Sequence, residues 1–126
     1  MAEKTKILLV DDDKFMLEFV KAQLNVDKYN VSTCIDSVLA LDLIKKGDEA
    51  PDIVISDIMM PDMDGLELLK KIKEIKPSLP VVFITAYANV DTAIEAVEAG
   101  AADFVRKPVK PELLEKALEK AVSTLS

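Results

Sequence analysis

The chain has 126 residues, half of them hydrophobic and 31% charged, which suffices for one core without disulfide staples and leaves no room for a second folded domain. It holds no histidine and one cysteine, Cys34, which excludes Ser-His-Asp triads, histidine-ligated metals, internal disulfides and Cys-rich zinc sites. The net charge is −7 and Arg106 is the only arginine, so the clustered basic surface needed for direct DNA or RNA binding is missing, and a cation or a positively faced partner suits the chain better.

Lys6–Val10 is a continuous apolar run of strand type, ending at Asp11. Ile7–Val10 is far too short for a signal core or a membrane span, and with the lone thiol this fits a reducing cytoplasm. From Lys14 to Asn25, Met16, Phe19, Val20 and Leu24 recur at helical spacing. Tyr29–Ile35 alternates like a strand, with Cys34 as a small buried hydrophobe. Ser37 is placed as the N-cap of a short helix over Val38–Lys46, with Gly47 as its stop. Ile53–Ser56 is a buried strand introduced by Pro51.

The second half keeps the rhythm. Leu66–Ile75 reads as a helix with Leu68, Leu69, Ile72 and Ile75 on one side and Asp64 as its cap. Val81–Thr85 is a strand after Pro77 and Pro80. Val90–Ala99 is a helix, with Asn89 as cap and Gly100 as stop. Ala102–Val105 is a short strand. Pro111 fits the first turn of the last helix, where Leu114, Leu118, Ala121 and Leu125 trace a stripe.

The pattern is (βα)₅, which implies a doubly wound, flavodoxin-like sheet of five parallel strands within one domain, residues 1–126. The near-continuous apolar strands agree, because such strands are buried on both faces. Ligands of such folds bind at the carboxyl ends of the strands. There the sequence places Asp11, Asp12 and Asp13 after the first strand and Asp57 after the third. Thr85 and Ala86 follow the fourth, and Arg106, Lys107 and Pro108 the fifth.

Carboxylates converging on one sheet edge repel each other unless something compensates. A hard cation with oxygen ligands does so, and Mg²⁺ is the natural ion; it keeps positions open for water or phosphate oxygens. Lys107 would add a second positive charge. Metal, amine and hydroxyl around a carboxylate make a site for a phosphoryl group. Taken singly, each residue has a plainer reading: Asp13 a helix cap, Thr85 a turn residue, Lys107 a solvated lysine. Their joint arrival at four strand ends does not. Pro61 and Gly65 read as loop geometry, and Asp62 as solvated.

These residues carry a resemblance. Ile-Leu-Leu-Val-Asp-Asp-Asp at 7–13, Ser-Asp-Ile-Met-Met-Pro-Asp-Met-Asp-Gly at 56–65, Thr-Ala at 85–86 and Lys-Pro at 107–108 resemble the receiver domain of two-component response regulators, the CheY-like family, over essentially the whole chain. The resemblance implies that Asp57 is the phosphoacceptor, fed by the phosphohistidine of a histidine kinase or a histidine phosphotransfer protein. Asp57, an ionised carboxylate, needs no general base, in keeping with a histidine-free chain. The resemblance also implies that Asp12 binds Mg²⁺ (or Mn²⁺) directly, with Asp11 beside it acting largely through water and the Met59 backbone carbonyl as a further ligand. Thr85 would hydrogen-bond the phosphoryl group and Lys107 pair with it, in front of a cis Lys107–Pro108 bond. Phe104 stands where the family has its switch aromatic. Met59 and Tyr87 stand where the phosphoryl lifetime is tuned.

On this reading the added charge draws Thr85 towards the phosphoryl group and lets Phe104 turn inward. That biases the face built from the fourth helix, fifth strand and fifth helix towards an output protein or domain, or a phosphorylation-dependent homodimer. The domain would act in the cytoplasm without touching nucleic acid or membrane, and would catalyse only its own phosphorylation and dephosphorylation. It could stand alone or belong to a longer regulator with a DNA-binding, ATPase or kinase domain; Asn89-Val90-Asp91-Thr92-Ala93 looks similar to receivers of nitrogen-regulator-type activators. A Mg²⁺-dependent aspartyl-phosphate phosphohydrolase is a competing class, but Lys14 and Phe15 after Asp11-x-Asp13 break the haloacid-dehalogenase pattern. A flavodoxin-like binder would need a Ser/Thr/Gly-rich phosphate loop where this chain has three carboxylates.

Overall fold

The computed structural model describes residues 4–46, 50–60, 63–86 and 90–124, with 90, 92 and 93 described by backbone alone. Gly47, Pro61, Asp62, Tyr87, Asn89 and Leu125 therefore lie outside the described residues. Five strands and five helices alternate: β1 Thr5–Val10, α1 Lys14–Gln23, β2 Tyr29–Cys34, α2 Ser37–Lys45, β3 Ile53–Asp57, α3 Gly65–Ile75, β4 Val81–Thr85, α4 Val90–Glu98, β5 Asp103–Arg106 and α5 Pro111–Val122. All pairings are parallel, in the order β2-β1-β3-β4-β5. The expected doubly wound (βα)₅ sheet is the fold observed.

Strand alternation divides the core into two layers. Ile7 and Leu9 of β1 face Leu17, Val20 and Leu24 of the α1 segment and Leu114, Ala117, Leu118 and Ala121 of α5. Leu8 and Val10 face Ala40, Leu41 and Ile44 of α2, Leu68, Leu69 and Ile72 of α3 and Ala96 of α4. The central strands β1, β3 and β4 are sealed on both faces, which is why they read as apolar runs, whereas the edge strand β2 is partly exposed and alternates. Leu68, Leu69 and Ile72 are wholly buried, so truncating any one to Ala would cost about 2–5 kcal/mol.

Local chemistry sets the helix ends. Asp13 caps α1, its carboxylate accepting from the Phe15 and Met16 amides, and Asp64 caps α3 by accepting from Glu67. Pro111 opens α5. Gly100, at φ 101°, closes the α4 turn in the left-handed region that favours glycine.

Several expectations are corrected. The cap of α2 is Asp36, not Ser37: Asp36 Oδ1 accepts from Val38 and Leu39 at 2.7 and 3.3 Å. Ser37 is the first helical residue, buried, with its hydroxyl donating to the Met63 carbonyl at 2.8 Å. In α1 the inward stripe runs through Leu17 and Val20, while Phe19 is half exposed; spacings of three and seven from Leu17 lead to Val20 and Leu24, and Phe19 falls off that line. Ile75 closes α3 on a partly exposed turn, and Ile35 lies past the end of β2, also exposed. β3 and β5 each run one residue further than the apolar pattern, to Asp57 and Arg106.

Candidate functional site

The carboxyl ends of β1, β3, β4 and β5 meet in one place. β1 ends at Val10, and the Asp11 amide still bonds the Cys34 carbonyl of β2 at 3.1 Å. That tether buries Asp11 and leaves Asp12, one residue on, exposed. Asp11 Oδ1 accepts from the Asp13 amide at 2.9 Å, which fixes the turn into α1. Burial pushes the Asp11 carboxyl above the usual carboxylate range; the Asp13 N–H and the Lys107 charge oppose this, and the charges of Asp57 and Asp12 add to it.

Asp57 is the last residue of β3 and is buried. Its Oδ1 accepts from the Met59 amide at 3.2 Å and its Oδ2 from Lys107 Nζ at 2.9 Å. Its own carbonyl accepts from the Ser56 hydroxyl at 2.8 Å. The start of α3 presses directly on this turn. The Gly65 amide donates to Ile58 O at 2.7 Å, and a Cβ at Gly65 would lie 2.6 Å from the Asp57 carbonyl oxygen and 2.8 Å from Ile58 Cα. Gly65, read from sequence as loop geometry, is where α3 and the backbone of the Asp57 turn touch.

Lys107 leaves β5 with its amide bonded to Thr85 O at 2.9 Å, and the Lys107–Pro108 peptide bond is cis. Its amine reaches back to Asp57, and to Asp11 Oδ2 at 3.6 Å. Burial alone would lower the amine's pKa, but the hydrogen bond and charge of Asp57, then the charge of Asp11, hold it above the ordinary lysine value. Thr85 ends β4 with no exposure, its Cα paired with Arg106. Phe104 is half buried, with its Cα opposite Phe83, and packs on the α3/α4 side of the sheet. Met59 is exposed at the rim.

One carboxylate oxygen from each of Asp11, Asp12 and Asp57 lies within 4.8 Å of the other two. An all-oxygen donor set at that spacing fits a hard divalent cation. The structure thus brings Asp11, Asp12, Asp57 and Lys107 together, with Thr85 and Phe104 on the neighbouring strands. Sequence reading missed Ser56, whose signal was a lone hydroxyl in an otherwise apolar buried strand directly before Asp57.

The chain matches the response regulator receiver domain model over residues 7–119. It is 39% identical to the transcriptional regulatory protein ZraR of Klebsiella oxytoca over 121 residues, 96% of this chain and 27% of that protein. A response regulator receiver domain protein from Clostridium thermocellum superimposes with a TM-score of 0.87 at 34% identity, covering 94% of both chains. NtrX from Brucella abortus superimposes with a TM-score of 0.87 at 37% identity, over 98% of this chain and 28% of that one. The chain thus spans about a quarter of such longer regulators. Strand-end aspartates, a lysine after the fifth strand, the five-stranded parallel sheet and these matches agree: the chain belongs to the response regulator receiver domains, the phosphorylation-dependent signalling modules of two-component systems.

Proposed function

We propose that residues 1–126 form a receiver in which Asp57 accepts a phosphoryl group from a phosphohistidine of a partner histidine kinase or histidine phosphotransfer protein. An Asp57 carboxylate oxygen forms the new P–O bond, the P–N bond breaks, and the imidazole leaves on the partner. The observation that carries this is the Lys107 amine, 2.9 Å from Asp57 Oδ2 and beside the Asp11–Asp12–Asp57 oxygen cluster. Asp11, Asp12, Asp57 and the Met59 carbonyl would hold Mg²⁺, or Mn²⁺ in its place. When bound, that ion supplies positive charge to the phosphoryl oxygens.

The chain's own residues do the rest. Lys107 neutralises charge on the transferring group and orients Asp57, which matters because phosphoryl transfer depends mainly on positioning and charge neutralisation. Thr85 supplies a hydroxyl to the phosphoryl oxygens, and Phe104 follows it inward, biasing the α4–β5–α5 face. That face is read by an output protein or domain, or by a second copy of the chain. The match to regulators about four times longer supports an output domain. Met59 and Tyr87 set how easily water reaches the acyl phosphate.

On this reading the domain turns over no separate substrate and contacts neither nucleic acid nor membrane. Its acidity supports the first point of that pair, and among the described residues no helix is long and apolar enough to cross a membrane. The lone buried thiol of Cys34 supports a cytoplasmic setting. Intact-mass spectrometry after incubation with Mg²⁺ and acetyl phosphate tests the reading. One added phosphoryl group is expected, absent without Mg²⁺ and absent in Asp57→Asn; no addition to the wild-type chain would contradict it.

A further inference from the structure

We propose that Gln23 is a positioning residue for Lys107, holding from α1 the loop from which the amine projects; this rests on the role given to Lys107 above. Gln23 is the last residue of α1, and its Nε2 donates to the Val109 carbonyl at 3.4 Å, across 86 residues of sequence. Val109 is two residues beyond Lys107. The loop is tied at its start by the Lys107 amide on Thr85 O, and at its end by Lys110 O, which accepts from Leu113 and Leu114 as α5 begins. Between them the Val109 side chain is buried under α1 and α5. The Val109 carbonyl belongs to neither strand nor helix, and Gln23 is what reaches it.

Two observations argue for more than helix packing. The Gln23 amide oxygen is buried without a hydrogen-bond partner among the described residues. A buried, unpaired carbonyl costs more than one long hydrogen bond returns. For stability alone, a methionine of the same length would serve better. Second, α1 starts at the acidic cluster, capped by Asp13 directly after Asp11 and Asp12, and ends at Gln23. One rigid helix therefore holds the carboxylates at one end and the amine-bearing loop at the other. The amide fixes the two charged halves of the site relative to each other.

The test compares the full chain with Gln23→Met in three measurements. The first is the Lys107 ¹³Cε–¹H NMR signal at fixed pH with no phosphodonor, assigned with Lys107→Arg. The second is the initial rate of phosphorylation against acetyl phosphate concentration at saturating Mg²⁺. The third is the melting temperature. We expect the Lys107 signal to move towards those of exposed lysines, and the saturated rate to fall about three- to tenfold. The donor concentration for half-saturation should hold, and the melting temperature should stay level or rise. An unmoved Lys107 signal would overturn the proposal, as would an unchanged rate in a variant of wild-type stability. A wild-type chain that takes up no phosphoryl group would contradict the function proposed above, and the NMR comparison alone would then decide the role of Gln23.

Discussion

Lys107 Nζ sits 2.9 Å from Asp57 Oδ2, and the pair joins the ends of two strands that do not touch, β3 and β5, across the end of β4. An internal cation thus already occupies part of the field that a metal would enter. Lys107→Met should therefore bind Mg²⁺ more tightly, by roughly tenfold, because the competing charge is gone. The same variant should accept phosphate from acetyl phosphate about 100-fold more slowly, because charge neutralisation during transfer is lost. Calorimetric titration with Mg²⁺ and a phosphorylation time course check the two signs. Weaker metal binding would contradict the electrostatic account.

The crowded carboxylates make a second prediction. Asp11→Asn keeps an oxygen to accept from the Asp13 amide while deleting one buried charge of the cluster. Without metal at neutral pH, the variant should gain about 1 kcal/mol of stability, a rise of a few degrees in melting temperature. Adding Mg²⁺ should raise the wild-type melting temperature clearly and that of Asp11→Asn much less. Thermal scans with and without Mg²⁺ would show it.

Far from this site, Tyr29 predicts an alkaline limit. Burial, then the charge of Glu115 and the hydrogen bond its carboxylate accepts at 3.2 Å, push the phenol up to about 12. An unfolded tyrosine ionises near pH 10, so the folded chain holds its proton more tightly than the unfolded one. The stability this gives is complete below about pH 10 and is lost as pH rises towards 12, by ~2–3 kcal/mol at the limit. Urea unfolding from pH 9 to 11.5 should show that slope, and Tyr29→Phe should flatten it.

Gly65→Ala tests the contact between α3 and the Asp57 turn. Its Cβ would meet the Asp57 carbonyl oxygen at 2.6 Å and the Phe83 ring at 2.9 Å. The backbone must move, at about 1–3 kcal/mol in urea unfolding. Mg²⁺ affinity should fall with it, because the shifted segment carries both Asp57 and the Met59 carbonyl. A stability loss with unaltered metal binding would show that the turn yields on its other side.

Much of this was legible in the residues. The two layers of the core follow from strand alternation, and Asp64, Gly100 and Pro111 mark helix ends by their own chemistry. Asp11, Asp12, Asp57, Thr85 and Lys107 are legible because a parallel sheet gathers its strand ends on one edge. What escaped depends on tertiary contact. Asp36 and Ser37 are both good caps, and only burial of the Ser37 hydroxyl against Met63 O decides between them. Phe19 fits the helical period of α1 as well as Leu17 does, and which face meets the sheet is set by the angle of packing. Gln23 reads as a surface polar residue until Val109 is seen beside it.

Everything proposed for this site turns on the phosphoryl group landing on the Asp57 side chain. Borohydride reduces an acyl phosphate of aspartate to homoserine, so the phosphorylated chain can be reduced, digested and sequenced by tandem mass spectrometry. Homoserine is expected at position 57 alone, only where Mg²⁺ and acetyl phosphate were both present. Homoserine at position 11 or 12, or phosphate that survives on a hydroxyl such as that of Thr85, would contradict it.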